Sequence, residues 1–153
     1  MTTEERKERV LARERKRGKA DAQEVQTKAT EMTGAELYSA ADRIPRFAVA
    51  RRIKNMLERP VGFVCAAPSG RLVRLIQPYD SSIYTQEPEE LPAHWGFVWS
   101  KNPEDARPFI AISTSPFNKG DCCTEGGRVY VSLFNGNVNA PSTWPTGWEE
   151  VTE

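Results

Sequence analysis

Tyr79, Tyr84, Phe134 and Trp144 stand in loops made mostly of polar residues. Flat ring faces in such surroundings suit the C–H surface of a pyranose, provided amides or carboxylates nearby can reach its hydroxyls. Asp80 and Gln86 supply those groups near the first two rings, and Asn135 and Asn137 near the second two. The candidate carbohydrate-contacting residues are therefore Tyr79, Tyr84, Phe134, Asn137 and Trp144. The competing role for each ring is core packing. A β module of ~40–50 residues has few apolar side chains and must bury most of them. Trp95 and Trp148 are each followed by Val three residues later, and both are assigned to the core.

Other chemistry finds less support. Glu87, Glu89 and Glu90 lie in a Pro-bounded loop, whereas paired glycosidase carboxylates need a fixed separation across a cleft. A solvated acidic loop is the expectation. His94, the one histidine, sits in Pro92-Ala93-His94-Trp95 without a nucleophile in any recognisable motif, and is expected to be structural. Cys65, Cys122 and Cys123 are odd in number and lack metal-site spacing. Cys122 and Cys123 are adjacent, so on a strand they point to opposite faces, with one expected in the core. The chain is read as non-enzymatic, with no catalytic residue, cofactor or metal.

The elements that must hold these residues divide the chain in two. The whole has 153 residues, enough for one domain or a few small modules. With 39% hydrophobic and 27% charged residues, the mix is that of a soluble globular chain with some extended charged surface. No apolar run approaches the ~20 residues of a membrane helix. The N-terminus is charged from Glu4 onward and has no signal-peptide core. Formal net charge is zero, yet residues 1–59 hold 15 Lys and Arg against 10 Asp and Glu, leaving the remainder equally acidic. Of the Phe, Trp and Tyr residues, only Tyr38 and Phe47 precede Pro60. Two kinds of structure therefore meet near Pro60.

Residues 3–31 read as one charged helix, opened by a Thr2-x-x-Glu5 capping box and spanning roughly 44 Å. Glu5–Arg9 and Glu24–Lys28 have the spacing of favourable pairs. Ala22, Val25, Ala29 and Met32 make a thin stripe with coiled-coil spacing, which suggests an oligomer such as a trimer. The segment reads as a solvated helix or a docking arm. A nucleic-acid role for Arg13, Arg15, Lys16, Arg17 and Lys19 is disfavoured by interleaved Glu and by the lack of aromatics for base stacking. Thr33-x-x-Glu36 opens a second helix that Pro45 ends, and a third spans Arg46–Arg59. Strands are expected at Val61–Ala66, Arg71–Ile76, Trp95–Trp99 and Phe109–Ile112.

The C-terminal part repeats this β plan. Gly120-Asp-Cys-Cys-Thr reads like Gly62-Phe-Val-Cys-Ala, Gly127-Arg-Val-Tyr like Gly70-Arg-Leu-Val, and Trp144-Pro-Thr-Gly-Trp148 like Leu91-Pro-Ala-His-Trp95. Phe117-x-x-Gly120-Asp121, Gly127-x-x-Tyr130, Asn137, Pro141 and Trp148 resemble the small carbohydrate-binding modules of the chitin-binding type, families five and twelve. That family presents two adjacent aromatics after the second hairpin strand, where this chain has Leu133-Phe134-Asn135. The run from Gly120 to Pro141 is also similar to modules ending many bacteriophage tail-associated proteins. The block beginning Met32-Thr-Gly-Ala-Glu-Leu-Tyr, with Arg59–Cys65 and Tyr79–Pro92, looks like small phage virion proteins. In such proteins the module serves as an attachment or trimerising unit.

The expected fold is α+β, with an extended N-terminal charged helix and short helices followed by two small antiparallel β modules. Its parts are an anchoring arm at 1–32, short helices at 33–59, a first module at 60–112 and a second at 113–153. The resemblance implies a virion structural protein assembled in the host cytoplasm and associated with the tail. It would be held to other virion proteins by the arm and would display its modules for surface-glycan attachment or fibre assembly. Rival expectations are a head fibre or capsid decoration protein, and the binding module of a cell-wall-acting enzyme. Expected partners are other virion proteins, further copies of the chain and a surface glycan, with no membrane and no nucleic acid.

Overall fold

A computed structural model describes residues 2–152, with the side chains of residues 8 and 10–21 not described. The basic cluster from Arg13 to Lys19 therefore lies outside the described side chains. The fold is α+β, as expected. Helix α1 runs Thr3–Lys28 and continues as a 3-10 turn at Ala29–Glu31. Its capping box is formed: Thr2 Oγ1 accepts from Glu5 N–H and Glu5 Oε2 from Thr2 N–H, both at 3.2 Å. Glu5 is thereby turned to the cap and not to Arg9, whereas Lys28 and Glu24 pair at 2.7 Å.

A second capping box, Thr33 with Glu36, opens α2 at Gly34–Ser39. The helix expected over Arg46–Arg59 is shorter. Helix α3 covers Phe47–Ile53, Lys54 is extended, and a 3-10 turn follows at Met56–Glu58. Asn55 is the cause. Its Oδ1 accepts from Leu57 N–H at 2.9 Å and Ser81 N–H at 3.2 Å, and its Nδ2 donates to Asp80 at 2.9 Å. Those bonds offer the backbone a better alternative than another helical turn.

Strands β1 (Val64–Ala66), β2 (Leu72–Leu75) and β3 (Trp95–Phe97) form an antiparallel sheet in that order. One face, with Cys65, Val73, Leu75, Trp95 and Phe97, packs on Phe47, Met56, Phe63 and Tyr79. The other, with Val64 and Leu72, packs on Val25, Ala29, Leu37, Tyr38 and Ile44. The stripe that resembled a coiled-coil seam is therefore spent within the chain. Gln26 extends the same docking. Its Nε2 donates to Val64 C=O at 2.7 Å and its Oε1 accepts from Val64 N–H at 2.9 Å, which closes the free edge of β1.

The second sheet has the order β4 (Arg107–Pro108), β5 (Cys122–Glu125), β6 (Arg128–Ser132) and β7 (Trp148–Glu150). All its pairs are antiparallel except β4 with β5. The strand expected at Phe109–Ile112 does not form. Phe109 turns into the second core with Phe117, Cys123 and Trp148, while Ile110 and Ile112 lie against the first. A segment that must feed two cores cannot keep the straight alternation of a strand.

The repeat holds at the level of single hydrogen bonds. Gly62 N–H donates to Leu75 C=O at 2.7 Å, and Gly120 N–H to Ser132 C=O at 2.8 Å. Both glycines have a φ reserved for glycine, +94° and +95°. Ile76 N–H donates to His94 C=O at 2.8 Å, and Leu133 N–H to Gly147 C=O at 2.9 Å. Trp95 then pairs with Leu75 as Trp148 pairs with Ser132. The match extends back to Pro88 and Pro141, both buried and each seven residues before its Trp.

The two modules meet around Trp99. Its ring stacks on Phe117 at 3.9 Å and meets Phe97 edge-on at 5.9 Å, and its Nε1–H donates to Ser115 C=O at 2.9 Å. Arg71, on the β2 side, pairs with Glu89 and donates to the Pro108 carbonyl at the head of the second sheet.

Because Val25, Gln26 and Ala29 belong to the body, the separable part of the arm ends before Ala22. Removing residues 1–20 should leave the thermal midpoint within about 3 °C of the full chain, while removing 1–31 should lower it by roughly 10 °C or more, as expected for lost core side chains. Circular dichroism melts of the two truncations check this.

Candidate functional site

Phe134 leaves the end of β6, and Trp144 precedes the 3-10 turn Pro145–Gly147 that leads into β7. They are ten positions apart in sequence, yet the fold stacks them, with centroids 5.2 Å apart and planes 28° from parallel. Two bonds join the two segments through Gly147, and a third braces the first segment. Leu133 N–H donates to Gly147 C=O at 2.9 Å, and Asn137 Nδ2 donates to Ser132 Oγ at 3.1 Å and to Gly147 C=O at 3.3 Å. Ser132 Oγ donates in turn to Phe134 C=O at 2.8 Å. Gly147 has no side chain because the indole occupies that space: a Cβ there would lie 2.2 Å from Trp144 Cε3.

Phe134 remains 50% exposed. One of its faces is taken by Trp144, so a solute can stack only on the other. Asn135 beside it accepts from Lys119 N–H through Oδ1 at 3.0 Å, which fixes the side chain and leaves its amide hydrogens for a hydroxyl. An apolar face with an oriented amide next to it is what a pyranose requires. Two aromatics ten positions apart in sequence are thus brought together from two loops.

The other sequence candidates are placed differently. Tyr79 is only 3% exposed. Its hydroxyl accepts from Trp95 Nε1–H at 3.0 Å and its ring packs in the first core, so it offers no face to a solute. Asn137 is also buried and acts as the internal strut just described. Neither can touch sugar; both were named because a polar stretch of sequence does not reveal which side chains turn inward. Tyr84 is 50% exposed and sits beside His94, at 6.3 Å between centroids. Trp95 and Trp148 are buried, as their matching positions implied. Asp80 is occupied by Ser82 and Asn55, whose hydrogen bonds hold its carboxyl below the usual range. Gln86 is exposed.

Of the reactive groups named from sequence, Glu89 and the cysteines are built into the fold, while Glu90 is exposed. Glu89 pairs with Arg71 and accepts from Ser69 Oγ–H at 2.8 Å, so this carboxylate of the acidic loop is a structural one. All three cysteines are buried and free. Burial pushes the Cys122 thiol up to about 11 and Cys123 to about 12, and raises Cys65 further. A thiol held in that form is a poor nucleophile at neutral pH. A groove of about 800 Å³ lies between the end of α1 and residues 59–63. Gln23, Thr27 and Thr30 line it together with Ile44, Val61 and Phe63.

Compared with known proteins, the chain matches no family model, no curated sequence and no solved structure.

Two outcomes follow from this geometry. At pH 8 the folded chain should release almost no thionitrobenzoate from Ellman's reagent, and three thiols should react after denaturation, since thiols with raised pKa stay protonated until well above that pH. Gly147→Ala should displace the Trp144 ring and disrupt the aromatic stack; near-ultraviolet circular dichroism would show the loss, and an unchanged spectrum would contradict the close approach.

Proposed function

We propose that this chain is a non-enzymatic structural protein of a bacteriophage-type virion, associated with the tail. Its N-terminal arm holds it to neighbouring virion proteins, and its β modules face outward. The second module contacts a surface glycan through Phe134 and Trp144. The observation that carries this reading is the division of labour within α1. Val25, Gln26 and Ala29 are built into the body, while Thr2–Lys7 and Arg9 are exposed on the same helix.

At a rise of ~1.5 Å per residue, the stretch from Thr3 to Asp21 reaches roughly 28 Å. Most helical stability in proteins comes from packing an apolar face, and residues 3–21 carry only Val10 and Leu11 as sizeable apolar residues. Such a helix has good reason to be that long if a partner orders it. The aromatic stack fits the other end of the task. It is exposed, fixed by buried hydrogen bonds, and set on a body stiffened by two sheets that share one junction.

The test separates the two ends. A chain lacking residues 1–20 should fold but fail to enter particles when it replaces the intact protein. A Phe134→Ala, Trp144→Ala double variant should enter particles normally, and those particles should adsorb to cells at least tenfold more slowly. Incorporation of the truncated chain at the normal level, read by quantitative mass spectrometry of purified particles, would contradict the anchoring role.

A further inference from the structure

The two modules carry an aromatic ring at the same point of the repeat by opposite choices of residue. In the second module the residue before Trp148 is Gly147, and the Trp144 ring lies in the space its side chain would fill. In the first module the residue before Trp95 is His94, and the position matching Trp144 is Leu91. The backbone bonds from Ile76 to His94 and from Leu133 to Gly147 establish the correspondence. Where the tryptophan is lost, an imidazole takes the glycine's place.

That imidazole lies near two tyrosine rings. Its ring lies 4.7 Å from the buried Tyr79 ring, at 41°, and 6.3 Å from Tyr84, at 33°. Its Nδ1 is 3.0 Å from the Gln77 carbonyl oxygen. A carbonyl only accepts, so Nδ1 carries the proton and, in the neutral ring, Nε2 is left as an acceptor. Tyr84 is half exposed and Ile83, next to it, is 70% exposed. Tyr79, buried, packs against His94.

We propose that Tyr84 and His94 form a second saccharide-contacting site, on the first module, so that one chain engages a pyranose oligosaccharide at two points. Tyr84 supplies the ring face, and His94 Nε2 accepts from a sugar hydroxyl. The proposal rests on the reading of Phe134 and Trp144 as a glycan contact, and it adds a second site of different chemistry. Two weak sites on one rigid body raise the effective concentration of a polymeric ligand at each, which suits attachment to a repetitive surface.

The experiment is a nitrogen-15 NMR titration of the full chain with cellotetraose and, separately, its N-acetylglucosamine counterpart. At least one sugar should shift two separate groups of resonances, one around Tyr84 and His94 and one around Phe134 and Trp144. Tyr84→Ala and His94→Ala should each weaken the first response about tenfold and leave the second intact, while Tyr84→Phe, which keeps the ring face, should retain the first. Shifts confined to Phe134 and Trp144, unaffected by the Tyr84 and His94 variants, would overturn the second site and leave the proposed glycan contact standing. No shift at either site with either sugar would overturn both.

Discussion

Arg71 brings a full charge to a place with 1% exposure, and much of the architecture serves to satisfy it. Taking a guanidinium out of water costs several kcal/mol unless charge and hydrogen bonds replace the solvent. Here the replacements come from distant parts of the chain. Glu89 arrives from the acidic loop, the Pro108 carbonyl from the start of the second sheet, and the ring faces of Phe97 and Trp99 from either side of the junction, at 5.7 and 5.3 Å. One side chain therefore ties β2, the loop leading to His94 and the entry to the second module. Trp99 does the same with apolar surface, joining the first core to Phe117 and through it to Phe109 and Trp148. The modules are not beads on a linker. Each exposed aromatic site is held at a defined place relative to the other because this junction is packed.

The helical arm depends on the same economy of contacts. Tyr38 sits between α2 and the first sheet, where its hydroxyl donates to Val98 C=O at 2.9 Å and accepts from Leu72 N–H at 3.1 Å. With Val25, Ala29 and Leu37 it forms the surface on which the end of α1 rests. The edge of β1, which would otherwise invite pairing with another chain, is closed by Gln26 and by the Pro45 carbonyl, which accepts from Ala66 N–H at 2.9 Å. The exposed end of α1 and the loops that carry Tyr84 and Phe134 lie outside these closed surfaces.

What could be read from the sequence follows the range of the forces involved. Both capping boxes, the hairpins and the duplication are local or periodic, and each stands where the residues imply. The core role of Trp95 and Trp148 was legible for the same reason, since a repeated position is evidence about burial. The third helix stops short at Asn55, whose partners Asp80 and Ser81 lie 25 and 26 residues away and leave no local signal. The strand at Phe109–Ile112 failed because its apolar residues answer to two cores, a condition absent from any local pattern. The same limit governs the site. Phe134 and Trp144 were each visible as rings in polar loops, but their stacking depends on Gly147 and Asn137. Tyr79 reads like Tyr84 in sequence, and its burial in the first core with the hydrogen bond from Trp95 shows that it belongs inside. His94 reads from sequence as structural because a lone histidine carries no motif; its place in the fold matches the position where the other module has glycine.

The proposed virion role requires that the arm be buried in a particle and the modules be displayed on its outside. The most direct measurement of the proposed virion role is antibody labelling of intact, purified particles of the proposed phage, with one antibody against residues 2–9 and another against the loop around Phe134. The account predicts dense labelling of the tail by the second antibody and none by the first until the particles are disrupted. Labelling of intact particles by the antibody against residues 2–9, or absence of the chain from purified particles, would contradict it.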